Sequence, residues 1–365
     1  MKTVSPLFAE KEMDWVEAVL SEEVEQGRTP SVQYVHFTPH TVVCEYRKGY
    51  ADVQRQVPVS RSTTFPVFSV TKTFTALSML QLAQAKLVDL DRPICMYLPQ
   101  VYDTGEITLR HLLAHVSGLK DPWPLRWIHP VQEHARFDRN AFFKPLLDAK
   151  LSTRETPGSR CRYSNLGYVL VGQVLEAVTG IPYERYIQEH IIGPLNLSHH
   201  ELGFTITDAS LHAIGYQNQY SLMGLLLNLL IDTDTFMDKR VGKWKPFKPY
   251  YLNGTPYGGL IGNAEAVVRY GQALLRQDQS LLNNDYYKLL FTEGRTDKQE
   301  RTGMCLSWFT GQLNGTSYVA HAGGGGGYYC ELRLYPDKQL GSFLIFNRTG
   351  FSDERYLDKV DRYLV

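Results

Sequence analysis

Residues 68–87 read FSVTKTFTALSMLQLAQAKL. Apolar side chains occupy nearly every face of this stretch: Phe74, Ala76, Leu77, Met79, Leu80, Leu82, Ala83 and Leu87. The pattern predicts a helix over about 70–88 that is buried all round. Such a helix should not open on a serine and a lysine unless they have work there. Ser69 and Lys72 are three apart, so they share one face. A lysine held out of water has a lowered pKa and can act as a base. A serine hydroxyl is a weak nucleophile until such a base stands beside it. The serine's own N–H falls in the first turn, where it is available to an oxyanion.

The same spacing recurs at Ser117 and Lys120 in SGLK. There, Gly118 and Pro122 indicate a turn with no helix after it, so that copy is expected to be structural. Moving outward, RYSNLGYVLVGQVLEAVTG at 162–180 places Tyr163 and Asn165 just before a strong helix. A tyrosine near a lysine can shuttle a proton, and an asparagine two residues on can offer its amide to a substrate. YxN also occurs at 216–218 and 251–253, without so clear a helix behind it. Toward the C-terminus, residues 321–336 read HAGGGGGYYCELRLYP and carry the chain's only HxG, His321 to Gly323. A phosphate cradle is a poor reading of these glycines. GxxxxGK[ST] is absent, the dinucleotide spacing fails at Tyr328, and a strand pattern follows instead of a helix.

Other hydrolase chemistries find little support. GxSxG is missing. HLLAH at 111–115 lacks the glutamate of a zinc-protease motif, and two histidines capping and packing a helix end explain it better. His199 and His200 are adjacent and point different ways. No metal ligand set is expected.

The remaining pattern sets the layout. A helix is predicted over 8–26, where Met13, Val16, Leu20 and Val24 recur before Gly27 and Pro30. Two strands follow at 31–37 and 41–51. From about 90 to 290 the signals are mostly helical, with helices near 108–115, 165–179, 183–191 and 263–276, the last capped by Asn263. GMCLSWFTGQL, TSYVAHAG, YYCELRLYP and GSFLIFNRTG then read as strands. A closing helix over 352–364 is capped by Ser352. Strands at both ends with helices between imply an antiparallel sheet built from both termini, flanked by helices, with an inserted helical lobe: α/β plus all-α. The expected organisation is one domain over 1–365, with an α/β lobe about 1–75 and 290–365 and a helical lobe about 76–289.

Taken in order, SxxK, YxN and [KH]xG make the chain strongly resemble the serine β-lactamase and penicillin-binding-protein superfamily. The nearest likeness is to its class C β-lactamase, D-aminopeptidase and esterase branch. The resemblance runs along nearly the whole chain, through residues 63–99, ITLRHLLAHVSGL, PGSRCRYSNLGYVLVGQVLEAVTG, TPYGGLIGNAEAVVRYGQALL and the glycine stretch. It implies a β-lactamase/transpeptidase-like fold. It also implies that Ser69 is the acyl-accepting nucleophile, Lys72 its base and Tyr163 the proton shuttle. Asn165 would bind the substrate amide or support Lys72, and the N–H groups of Ser69 and Gly324 would hold the oxyanion. His321 departs from the lysine usual in β-lactamases. A mostly neutral histidine makes a poor carboxylate clamp, which tilts the expectation toward esterase or peptidase work on a small ester, amide or D-amino-acid peptide. β-Lactamase, DD-carboxypeptidase, acyltransferase and a silent binding protein are the alternatives. The chemistry needs no metal or organic cofactor.

Bulk properties are ordinary for a globular protein. Acidic and basic residues balance at 38 each, so no net field recruits nucleic acid or an anionic membrane. The greasiest run, LMGLLLNLLI at 222–231, is too short to span a bilayer. The five cysteines form no CxxC pair, and MKTVSPLFAEKEMDW holds no leader-like apolar stretch, so a cytoplasmic setting is expected. The oligomeric state is left open. Residues 205–256 match no motif. A packed helix plus a surface loop is the plain reading, and a lid or acyl-binding pocket is the alternative.

Overall fold

Strands from the two ends of the chain pair into one antiparallel sheet. In the computed structural model, which describes residues 2–4, 10–104, 106–122, 127–148, 155–221, 231–349 and 355–365, its order is Lys2–Val4, Val42–Asp52, Ser31–Phe37, Leu340–Phe346, Tyr328–Tyr335, Thr316–Gly325, Phe309–Leu313. Val57–Pro58 is added beside Val42–Asp52. The seam between the N-terminal hairpin and the C-terminal strands is the pairing of Ser31–Phe37 with Leu340–Phe346, with Val35 opposite Phe343.

Period-two alternation sends successive side chains to opposite faces. Val32, Tyr34, Leu344 and Phe346 meet the helix Glu10–Glu25 through its buried Met13, Val16 and Leu20, and meet the short C-terminal helix through Leu357 and Val360. Val35, Phe37, Phe343 and Ile345 face the larger core. The helix Ala264–Leu275, capped by the Asn263 side chain, lies on this second face. At Gly271 this helix packs tightly on the sheet, where a Cβ would stand 2.8 Å from the Phe37 ring. Deeper still is Thr71–Gln84, buried on every face as its sequence predicts.

Several predicted boundaries move, among them three with a clear outcome. Leu87 is not in the buried helix but beyond its end and 53% exposed, because Lys86 takes φ +59° and turns the chain out. The strand predicted from Gly303 starts at Phe309, since Ser307 at φ +72° breaks an extended run. The C-terminal helix spans Leu357–Val360 and continues as a 3-10 turn over Asp361–Tyr363, while its expected cap, Ser352, lies outside the described residues. All of LMGLLLNLLI except Ile231 lies outside them too. Among the described residues no helix is long and apolar enough to cross a membrane.

Candidate active site

Ser69 sits in a tight 3-10 turn, Phe68–Val70, that runs straight into the buried helix. The turn is strained at its entrance, where Phe68 has φ +43°, a region that bulky residues rarely occupy. Lys72 is wholly buried. Its Nζ lies 3.1 Å from Ser69 Oγ, 2.8 Å from Asn165 Oδ1 and 2.7 Å from the Tyr257 carbonyl oxygen. Two of these three neighbours can only accept a hydrogen bond, and the third is a hydroxyl. A neutral amine has two N–H donors and one lone pair, so it can serve both carbonyls and still accept the Ser69 hydroxyl proton. Burial favours that neutral state, holding the Lys72 pKa well below its ordinary value against a smaller upward pull from Asp121.

Tyr163 and Asn165 are brought to the same place by the helix Asn165–Thr179. Ser164 caps it by accepting the Gly167 N–H. The Asp121 carboxylate accepts from Ser164 Oγ at 2.8 Å, Asn165 N at 2.8 Å and Leu166 N at 3.0 Å, a favourable place for negative charge. The Tyr163 ring lies over Lys72 Nζ, 4.8 Å from the ring centroid, and is 37% exposed. His115 grips this tyrosine from three sides. Its ring stacks on Tyr163 at 4.3 Å, its Nδ1 accepts the Ser164 N–H at 3.1 Å, and its backbone carbonyl accepts the Arg162 N–H at 2.6 Å.

Thr316–Gly325 is the strand beside the nucleophile. At Gly323 a Cβ would collide with the Val67 carbonyl oxygen and stand 3.1 Å from Ser69 N, so the strand backbone lies directly on the nucleophile turn. At Gly324 the nearest atom to such a Cβ would be Tyr328 O at 4.0 Å, and this residue lines the open cleft. Gly325 leaves space for the Phe68 ring, and Gly326 for Phe247. Only Gly327, at φ +94°, makes the bend expected of the later glycines. His321 is 1% exposed, and its Nδ1–H donates to the Ala322 carbonyl at 2.8 Å. That leaves its Nε2 as an acceptor with no hydrogen-bond partner among the described residues. Burial, with a smaller contribution from Lys72, pushes its pKa down to about 3.

Every residue nominated from the sequence therefore borders one cleft or touches one that does, and Ser69, Tyr163, Asn165, His321, Gly323 and Gly324 all line it. Ser117 does not join them: it is buried, and its Oγ accepts the Leu119 N–H. His111 completes the capping box of the helix Leu109–Leu113. Asp121 and the Tyr257 carbonyl are absent from the sequence reading, and His115 enters it only as a histidine packing a helix end, not as a neighbour of Tyr163. Asp121 and His115 reach their partners across more than forty positions of sequence, and a carbonyl has no sequence signature.

A family model described as Beta-lactamase matches residues 16–364. Protein flp of Staphylococcus aureus strain MW2 is 27% identical over 213 residues, 56% of this chain but only 41% of flp's length. Penicillin-binding protein 4* of Bacillus subtilis strain 168 is 24% identical over 307 residues, 82% of this chain and 64% of that protein. The structure of D-alanine carboxypeptidase AmpC from Burkholderia cenocepacia has the same fold, with TM-score 0.74 at 17% identity, covering 98% of this chain and 99% of that one.

Proposed function

We propose, from the premise that this chain belongs to the beta-lactamase family of serine hydrolases, that it works through an acyl-enzyme on Ser69. The observation that carries this reading is the single amine, Lys72 Nζ, shared between the Ser69 hydroxyl and two carbonyl acceptors. As Ser69 Oγ adds to the substrate carbonyl carbon, its proton passes to Lys72. The carbonyl oxygen becomes an oxyanion facing the N–H groups of Ser69 and Gly324. The tetrahedral species collapses, the bond to the leaving oxygen or nitrogen breaks, and Tyr163 relays a proton to the departing group. Water then adds to the acyl carbon and gives its proton up by the same route. The acyl–Oγ bond breaks and Ser69 is restored.

Small esters, amides and D-amino-acid peptides fit this chemistry. A neutral His321 offers no fixed cation for a substrate carboxylate, which weighs against β-lactams as the preferred class. The test is to incubate the protein with p-nitrophenyl acetate, nitrocefin and D-alanyl p-nitroanilide, then follow turnover and intact mass. Ser69→Ala should lose turnover on the order of 10³-fold or more and form no adduct. The reading fails if no substrate or acylating probe labels the wild-type chain and Ser69→Ala changes nothing.

A further inference from the structure

The cleft that holds Ser69 has a volume of about 960 Å³. One wall is the strand pair Ile128–Pro130 and Tyr250–Leu252, with Trp127 and Phe247 beside it. Phe247 and Tyr250 fill the space that Gly326 leaves open. Six tyrosines line the cavity, and the hydroxyls of three of them are already engaged with backbone. Tyr250 donates to Gly326 O at 2.6 Å, Tyr257 to Trp127 O at 3.3 Å and Tyr328 to Ala213 O at 2.7 Å. These tyrosines therefore present ring faces rather than polar tips. Among the described residues that line the cleft there is no aspartate or glutamate, and the one charged side chain is Arg355, near Tyr318.

Resting on the acyl-serine reading above, we propose that the acyl group transferred to Ser69 is an uncharged apolar chain, longer than acetyl, which lies against the wall of Trp127, Ile128, Phe247, Tyr250 and Leu252. Two arguments lead there. Apolar surface gains by leaving water for such a wall. An α-ammonium group placed there would lose its hydration with no described carboxylate to pair with it, so a free D-aminoacyl donor is disfavoured. The acyl part, not the leaving group, takes this wall because the leaving group departs past Tyr163. That residue is the proposed proton relay and is exposed to solvent. The bonding changes are those of the mechanism above: an ester C–O bond breaks, an acyl–Oγ bond forms, and water later cleaves it.

The test compares kcat/KM for p-nitrophenyl acetate, butyrate and octanoate below their aggregation limits, so the leaving group stays constant while the chain lengthens. A rise of at least tenfold from acetate to octanoate is expected. N-Acetyl-D-alanyl p-nitroanilide should exceed D-alanyl p-nitroanilide at least tenfold. Ile231 also lines the cleft and is half-buried, and Ile231→Asp should lower the octanoate-to-acetate ratio at least fivefold, whatever happens to expression level. A flat or falling chain-length series with turnover that still depends on Ser69 overturns this inference alone. A preference for the free ammonium substrate does the same. Absence of any Ser69-dependent turnover across the series removes the acyl-serine reading, and this inference with it.

Discussion

Lys72 keeps an ionisable group where ionisation is disfavoured, and the sign of that arrangement can be measured. Its folded pKa lies below the ordinary 10.5 because burial strips the ammonium of water. Between the lowered value and 10.5, the unfolded chain binds a proton that the folded protein does not. Stability therefore rises with pH across that window. Lys72→Met removes this dependence. Thermal melts from pH 7 to pH 10 should show the wild-type Tm gaining on that of the variant as pH rises, while parallel curves would mean the buried amine is charged. His321 gives a complementary expectation. With its pKa near 3, it stays neutral from pH 5 to pH 8, so His321→Asn should leave the acid limb of kcat/KM in place. A displaced limb would show that the ring titrates. Ser69 and Lys72 were legible because three-residue spacing on a helix is a geometric statement. The rest of the amine's environment was not. Tyr257 O lies 185 positions away, and it is chiefly burial, which the fold creates, that holds His321 neutral.

Between residues and the whole fold stand the strand Thr316–Gly325 and the turn it presses against. Its glycines differ in what they do, so their alanine variants should differ as well. Gly323→Ala drives a methyl into the Val67 carbonyl and toward Ser69 N. It should lose about 1–3 kcal/mol in urea melts and slow acylation. Gly324→Ala meets nothing nearer than 4.0 Å and should stay within about 0.5 kcal/mol of wild type in stability. Equal tolerance of both would mean that the strand does not clamp the nucleophile turn. At this scale caps and stops read well from sequence. Asn263 accepts the Ala266 N–H, and Gly180 closes its helix at φ +69°. Backbone conformations of ordinary residues did not, since nothing about Ser307 or Lys86 advertises a positive φ. Nor did the pattern of 205–256 reveal that Phe247, Tyr250 and Leu252 form a cleft wall. The strand Tyr250–Leu252 finds its partner at Ile128–Pro130, far away in the chain.

For the molecule as a whole, the sheet from both termini was legible because strand patterns crowd the two ends of the sequence. Its outer face was less so. In YYCELRLYP, Glu331 and Arg333 alternate with apolar residues and look solvent-facing, yet both are fully buried. Arg333 pairs with Glu331 at 2.6 Å and with Asp358 at 2.6 Å under the C-terminal helix. Alongside, Asp361 accepts from the Tyr34 and Tyr335 hydroxyls, each at 2.8 Å, and from Ser342 Oγ at 3.0 Å. Asp361→Ala would leave these buried hydroxyls short of an acceptor, at a cost on the order of 3 kcal/mol. Chemical denaturation should show that loss, while the folded fraction keeps its active-site chemistry on the other side of the sheet. A stability unchanged from wild type would mean that the C-terminal turn does not tie the two ends of the chain together.

The seam has one more consequence, which concerns synthesis on the ribosome. Ser31 Oγ and Asn347 Oδ1 meet at 2.8 Å although they stand 316 positions apart. The hairpin formed by residues 31–52 therefore emerges from the ribosome long before the strand that will cover its inner edge exists. At ordinary elongation rates it waits on the order of tens of seconds. An unpaired edge is a template for pairing with another chain. The interval in which this protein is most exposed to misassembly is thus set by translation speed, and slowing elongation should lengthen its dependence on chaperones.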